Sequence, residues 1–101
     1  MAQGAKATLI AYVKLLAGNY IDYPTISALF TQIGDLVIQG APKSRVLEVM
    51  NQLVTEQKKW ESLLSLPRQA VLRRQRNENR RILSLINLVY DPPPLGKCTN
   101  C

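Results

Sequence analysis

Residues 25–42 read TISALFTQIGDLVIQGAP. Within that stretch Ile26, Leu29, Phe30, Ile33, Leu36 and Val37 recur at steps of three and four, which lines one face of an α-helix. Gly40-Ala41-Pro42 then ends it, because glycine suits the left-handed position after a helix and proline suits the first turn of the next. The segment predicts a helix over 25–39 and a tight helical hairpin leading into another helix at Pro42.

Upstream, Leu9, Ile10, Val13, Leu15 and Leu16 fall mostly at helical spacing, predicting a short first helix over 5–17 that Gly18-Asn19 stops. Tyr20, Tyr23 and Pro24 form the connection. Downstream, the longest helix is expected from Pro42 to about Leu66, with Val46, Val49, Leu53, Trp60 and Leu64 on its apolar stripe. At 100° per residue, Ser44, Asn51, Thr55, Lys58 and Ser62 share the opposite face, with Glu48 and Lys59 at its margin. From Ser44 to Ser62 the rise is roughly 27 Å, enough to lie along an extended ligand.

Pro67 predicts a bend and the start of a further helix. Ala70, Val71 and Leu72 give way to a wholly polar run, Arg73 to Arg81, read as exposed and either helical or frayed, before Ile82, Leu83, Leu85 and Ile86 resume. Asp91-Pro92-Pro93-Pro94 forbids more helix. The expected architecture is all-α, with one helical domain over 1–90 and a flexible proline-rich tail over 91–101.

The chain has 101 residues, 47% of them apolar, so one core built from Leu, Ile and Val is the most it can form. Its net charge of +6 is concentrated. Residues 43–81 hold ten Lys and Arg against Glu48, Glu56, Glu61 and Glu78, while the remaining charges cancel. A polyanion is the partner that such a field suits. No segment has the roughly 18 uninterrupted apolar residues a membrane span needs, and a reducing cytosolic setting is expected. A bridge between Cys98 and Cys101 would close a loop too small to staple a fold, and their spacing supplies only half a zinc site in a chain without histidine.

Acid/base catalysis needs titratable groups brought together, and seven scattered carboxylates with no histidine supply little material. No phosphate loop, nucleophile elbow or metal cluster is legible. The expected protein is not an enzyme and uses no cofactor and no metal. Lys58, Lys59 and the arginine run point instead to phosphate neutralisation, which gives affinity without base preference. Ser44, Asn51, Thr55 and Ser62 are short hydrogen-bonding groups suited to backbone oxygens and ribose hydroxyls. No aromatic residue stands among them for stacking on single-stranded bases, so duplex RNA fits better than a single strand.

Around Pro67 the sequence Ser62-Leu63-Leu64-Ser65-Leu66-Pro67-Arg68, with Lys58 four residues before the serine, resembles the small RNA-silencing suppressor proteins of insect nodaviruses. The resemblance covers roughly Leu47 to Arg73. It implies a helical hairpin that dimerises into an antiparallel four-helix bundle and lays its long helices along one face of an A-form duplex. It also implies that Lys58 contacts the RNA backbone, with Ser62 on the same side. The chain departs from the family in a shorter long helix, in Asn51 where a lysine would be welcome, and in a longer, arginine-rich segment after Pro67.

The resulting expectation is a homodimeric viral protein of the host cytoplasm. It shields long double-stranded RNA and small interfering RNA from processing and loading, and could also touch the host dicing machinery. Its RNA-binding residues are Lys58, Ser62, Asn51, Thr55, Lys59, Lys43, Arg45 and Arg68. Two alternatives stand beside it. One is an adaptor docking partner helices on Leu29, Phe30, Ile82, Leu83 and Ile86. The other is a single-strand binder or packaging protein whose Arg73 to Arg81 run is a flexible arm that orders on RNA.

Overall fold

A computed structural model describes the backbone over residues 2–61 and 69–91 and the side chains over 4–59 and 73–91. The chain forms four helices there, α1 (Ala2–Asn19), α2 (Pro24–Gln39), α3 (Lys43–Glu61) and α4 (Gln69–Tyr90), and no strand among the described residues. The all-α expectation holds, with four helices in a single chain where the family resemblance implies two from each of two chains.

The turn chemistry operates as its residues suggest. Gly40 adopts φ 76°, in the left-handed region, and the N–H groups of Gly40 and Ala41 donate to the carbonyls of Val37 and Leu36 at 3.1 and 2.9 Å. This paired pattern caps the last free carbonyls of α2. Pro24 opens α2, where its missing N–H costs nothing. The carbonyl of Pro42 accepts the first bonds of α3, from Arg45 and Val46.

Helix α1 packs on α2 and α4, α2 packs on α3, and α3 touches α4 lightly. Each helix therefore has two neighbours around a common core. Leu9, Val13 and Leu16 from α1, Ile26, Phe30 and Ile33 from α2, Val46 and Leu53 from α3, and Ile82 and Ile86 from α4 are all within about 1% of full burial. Fully burying side chains of this kind contributes about 1.5–3 kcal/mol each before the entropy of ordering is subtracted. At Gly34 the helices come close, since a Cβ there would stand 3.1 Å from Val13 Cγ2. Ser27 Oγ donates 2.8 Å to the Ala17 carbonyl, fixing the α1–α2 corner.

Sequence boundaries differ from the observed ones in two places. Helix α1 runs from Ala2 to Asn19, longer than 5–17, and α3 is described to Glu61. The proposed bend at Pro67, the side chains of Trp60 and Leu64, the cysteine pair and the tail beyond Asp91 lie outside the described residues. Helix α4 is a larger change. The polar run is neither loose nor wholly exposed: it is continuous helix, and Gln75 and Glu78 within it are each only 8% exposed.

Candidate nucleic-acid interface

Helix α4 carries polar residues on its inner face because side chains of the α1–α2 turn, of α3 and of α4 itself supply partners. The Tyr20 hydroxyl donates 2.8 Å to Glu78 Oε1, and Arg74 Nε donates 3.3 Å to Glu78 Oε2. On the other flank, Asn79 Nδ2 donates 2.5 Å to Gln57 Oε1 of α3, and Gln57 Nε2 returns a longer bond of 3.4 Å. The far end of α4 is held by Tyr90, whose hydroxyl donates 2.6 Å to the Ala41 carbonyl, and by the Asp91 carboxylate, which pairs with Lys43. Among the described side chains, no buried polar atom lacks a partner.

These contacts fix which way the remaining arginines point. With Gln75, Glu78, Ile82, Leu85 and Ile86 inward, Arg73, Arg76 and Arg80 fall within about 60° of one another on the outer face of α4, Arg76 nearest the α3 side and Arg80 at the rim of a depression on the α1 side. Arg74 and Arg81 turn toward α1, where Arg81 Cζ lies 5.1 Å from the centroid of the Tyr12 ring. All five are exposed. Burial raises the Tyr20 and Tyr12 hydroxyls above the ordinary tyrosine range, and the Glu78 carboxylate adds to both shifts. Tyr90 is raised by burial alone.

On α3, Asn51, Thr55, Lys58 and Lys59 are exposed as their helical phase requires. Lys58 follows the buried Gln57 and Arg76 lies one turn before the Asn79 that Gln57 bonds, so by helical phase both fall on the outer side of the α3–α4 contact. Among the described residues Lys58, Arg73 and Arg80 have no ion-pair partner. The other basic positions on α3 are engaged. Lys43 pairs with Asp91, Arg45 Nε lies 3.5 Å from Glu48 Oε1, and Lys59 Nζ lies 3.0 Å from Glu56 Oε2. The last two are exposed i,i+3 pairs of the kind that contribute little and exchange easily.

Asn51 and Thr55 border a depression between α2 and α3, opposite Thr25 and Leu29. Thr55 Oγ1 donates 2.9 Å to the Asn51 carbonyl, which commits its one proton to the backbone. A phosphate oxygen only accepts, so Thr55 in this rotamer has nothing to donate to it. Ser62 and Arg68 lie outside the described residues.

Two sequence readings change. Leu29, Phe30, Ile82 and Ile86, considered as anchors for partner helices, are buried in the chain's own core, and only Leu83 of that set is exposed, at 39%. The arginine run, considered as a flexible arm, is a helix held on both sides by side-chain bonds. What composition and spacing missed is the second basic concavity, a groove of about 570 Å³ between α1 and α4 bordered by Tyr12, Arg74, Asn77, Arg80, Arg81 and Ser84, with Glu78 below. Its only sequence signal is that Arg74 and Arg81 recur seven apart on the α1 side of α4.

None of the described helices is long and apolar enough to cross a membrane, and no three metal-binding side chains converge among the described residues. Comparison with known protein families, curated proteins and solved structures finds no match to this chain.

Proposed function

We propose that this protein binds double-stranded RNA without regard to base sequence, and that it suppresses RNA silencing as a viral homodimer in the host cytoplasm. The observation that carries this reading is the outer surface over the α3–α4 contact, onto which helical phase brings Lys58 and Arg76, with Arg73 further along the arginine face. Cations presented from two helices joined by the Gln57–Asn79 bonds form one basic surface. Neutralising phosphates with such a surface releases counterions and reads no base edges.

Two further features favour a duplex over a single strand. Among the described residues every aromatic ring is at least partly buried, and none stands fully exposed as a platform for stacked bases. Asn51 on α3 and Asn77 on α4 are exposed short amides able to donate to phosphates and ribose hydroxyls. Suppression would follow by occlusion: RNA covered by the protein is withheld from dicing and from loading, with no catalytic step. A two-fold dimer would present two such surfaces to one ligand.

The test is a gel-shift titration of the full chain against duplex RNA, duplex DNA and single-stranded RNA of equal length at two salt concentrations. Salt-sensitive binding that favours duplex RNA is the expected result. Equal affinity for all three would reduce the surface to a general polyanion binder, and absence of binding at low salt would end the nucleic-acid reading.

A further inference from the structure

The groove between α1 and α4 lies on the other flank of α4 from the Gln57–Asn79 contact with α3. It is a shallow depression open to solvent, and its volume of about 570 Å³ falls within the roughly 300–1,000 Å³ range of small-ligand sites. Three guanidinium groups reach it. We infer that this groove is a binding site for a phosphate monoester, carried either by a free nucleotide or by the terminal nucleotide of an RNA strand.

The charge arrangement supports that ligand class. Glu78 is the single carboxylate at the site, and it is turned inward: one oxygen accepts from Tyr20 and the other from Arg74. Arg74 therefore offsets Glu78 and leaves Arg80 and Arg81 as the net positive charge of the groove. Arg81 is oriented by the Tyr12 ring, which reduces the rotamer freedom it would lose on binding. Arg80 has no ion-pair partner among the described residues. Asn77 and Ser84 stand one turn to either side with amide and hydroxyl donors.

A phosphate monoester carries nearly two negative charges and three terminal oxygens, which matches two guanidinium forks with flanking neutral donors. A backbone diester carries one charge and two free oxygens and would leave donors unused. None of the groove's lining residues belongs to α3, and Lys58 and Arg76 of the duplex-binding surface lie outside it.

The experiment uses the full chain with two kinds of probe. Calorimetric titration compares a nucleoside 5′-monophosphate with the unphosphorylated nucleoside. Competition binding compares two RNA duplexes that differ only in carrying a 5′-phosphate or a 5′-hydroxyl. Binding of the monophosphate but not the nucleoside, weakened about tenfold or more in both Arg80→Ala and Arg81→Ala, supports the site. A several-fold preference for the 5′-phosphorylated duplex, lost in the same variants, identifies the RNA end as the source. Monophosphate binding without that preference identifies the free nucleotide. Should neither probe discriminate on its phosphate, or should discrimination survive both substitutions, the assignment is overturned. The wild-type comparisons decide even if loss of the Tyr12 contact impairs folding of Arg81→Ala, and Arg81→Lys, which keeps the charge but not the fork, should bind with intermediate strength.

Discussion

The hydroxyl of Tyr20, in the turn after α1, donates 2.8 Å to the Glu78 carboxylate in the middle of α4, across 58 residues of sequence. Both side chains are buried, at 7% and 8% exposure. Without this bond that Glu78 oxygen would lose its hydrogen-bond partner at a position only 8% exposed. Tyr20→Phe removes the donor and keeps the ring, so the expected loss is the desolvation of an unpaired acceptor, about 1–3 kcal/mol. Urea denaturation followed by circular dichroism measures it. An unchanged midpoint would mean that water replaces the tyrosine hydroxyl at no cost.

The same residue sets an alkaline limit on stability. Burial, then the hydrogen bond and charge of Glu78, raise the Tyr20 hydroxyl above its ordinary value, and burial raises Tyr90 and Tyr12 as well. In the unfolded chain these groups lose their protons near pH 10, while in the folded chain they retain them. The folded state then holds more protons than the unfolded one, so stability falls with rising pH. The tyrosine contribution is intact below about pH 10 and declines above it. A series of denaturation curves from pH 8 to 11 should show this decline, with a shallower slope in Tyr20→Phe. A parallel decline in the two proteins would assign the effect to other groups.

The helical character of 25–39 and the glycine that ends it were legible because both are local: six apolar residues in one phase, and one residue free to take φ 76°. The course of α4 was legible only in part, for a physical reason. Gln75, Glu78 and Asn79 occupy the same phase as Ile82 and Ile86, so the inner stripe is continuous in geometry but interrupted in hydrophobicity. Their burial depends on Tyr20 and Gln57, which are remote in sequence, and no pattern within residues 73–81 announces those partners. The basic side chains behave likewise. Lys43 and Lys58 look alike in sequence, yet among the described residues only the first meets a carboxylate, 48 residues away at Asp91.

Gly34 and Val13 give a test of the α1–α2 packing. An alanine at 34 gains about 1 kcal/mol of helix propensity over glycine. Its Cβ, however, would stand 3.1 Å from Val13 Cγ2. Val13 is fully buried and β-branched, so it has little freedom to turn away. Overpacking of this kind costs about 1–3 kcal/mol, and net destabilisation of Gly34→Ala is expected. Combined with Val13→Ala, which removes the opposing methyl groups, the same substitution should become stabilising. A double-mutant cycle by thermal or urea unfolding reads the coupling. Additive effects would show that the two helices separate freely at this point.

The location of the duplex-binding surface is tested by comparing lysines of equal charge. Lys58 is exposed on the outer side of the α3–α4 contact, whereas Lys14 is exposed on α1, on the side away from α4. Each alanine variant lowers the net charge by the same amount and removes no core contact. If affinity came from overall charge, the two would weaken RNA binding equally. Contact at the surface over α3 and α4 predicts instead that Lys58→Ala lowers affinity and reduces the slope of log affinity against log salt by about one for each lost phosphate contact, twice that in a two-fold dimer. Lys14→Ala should leave the slope unchanged. Arg73→Ala and Arg76→Ala extend the comparison along α4: slopes reduced in both, with α-helical content preserved, would place the duplex along the helix that sequence patterning left open to fraying. Loss confined to Lys58 would restrict the contact to α3.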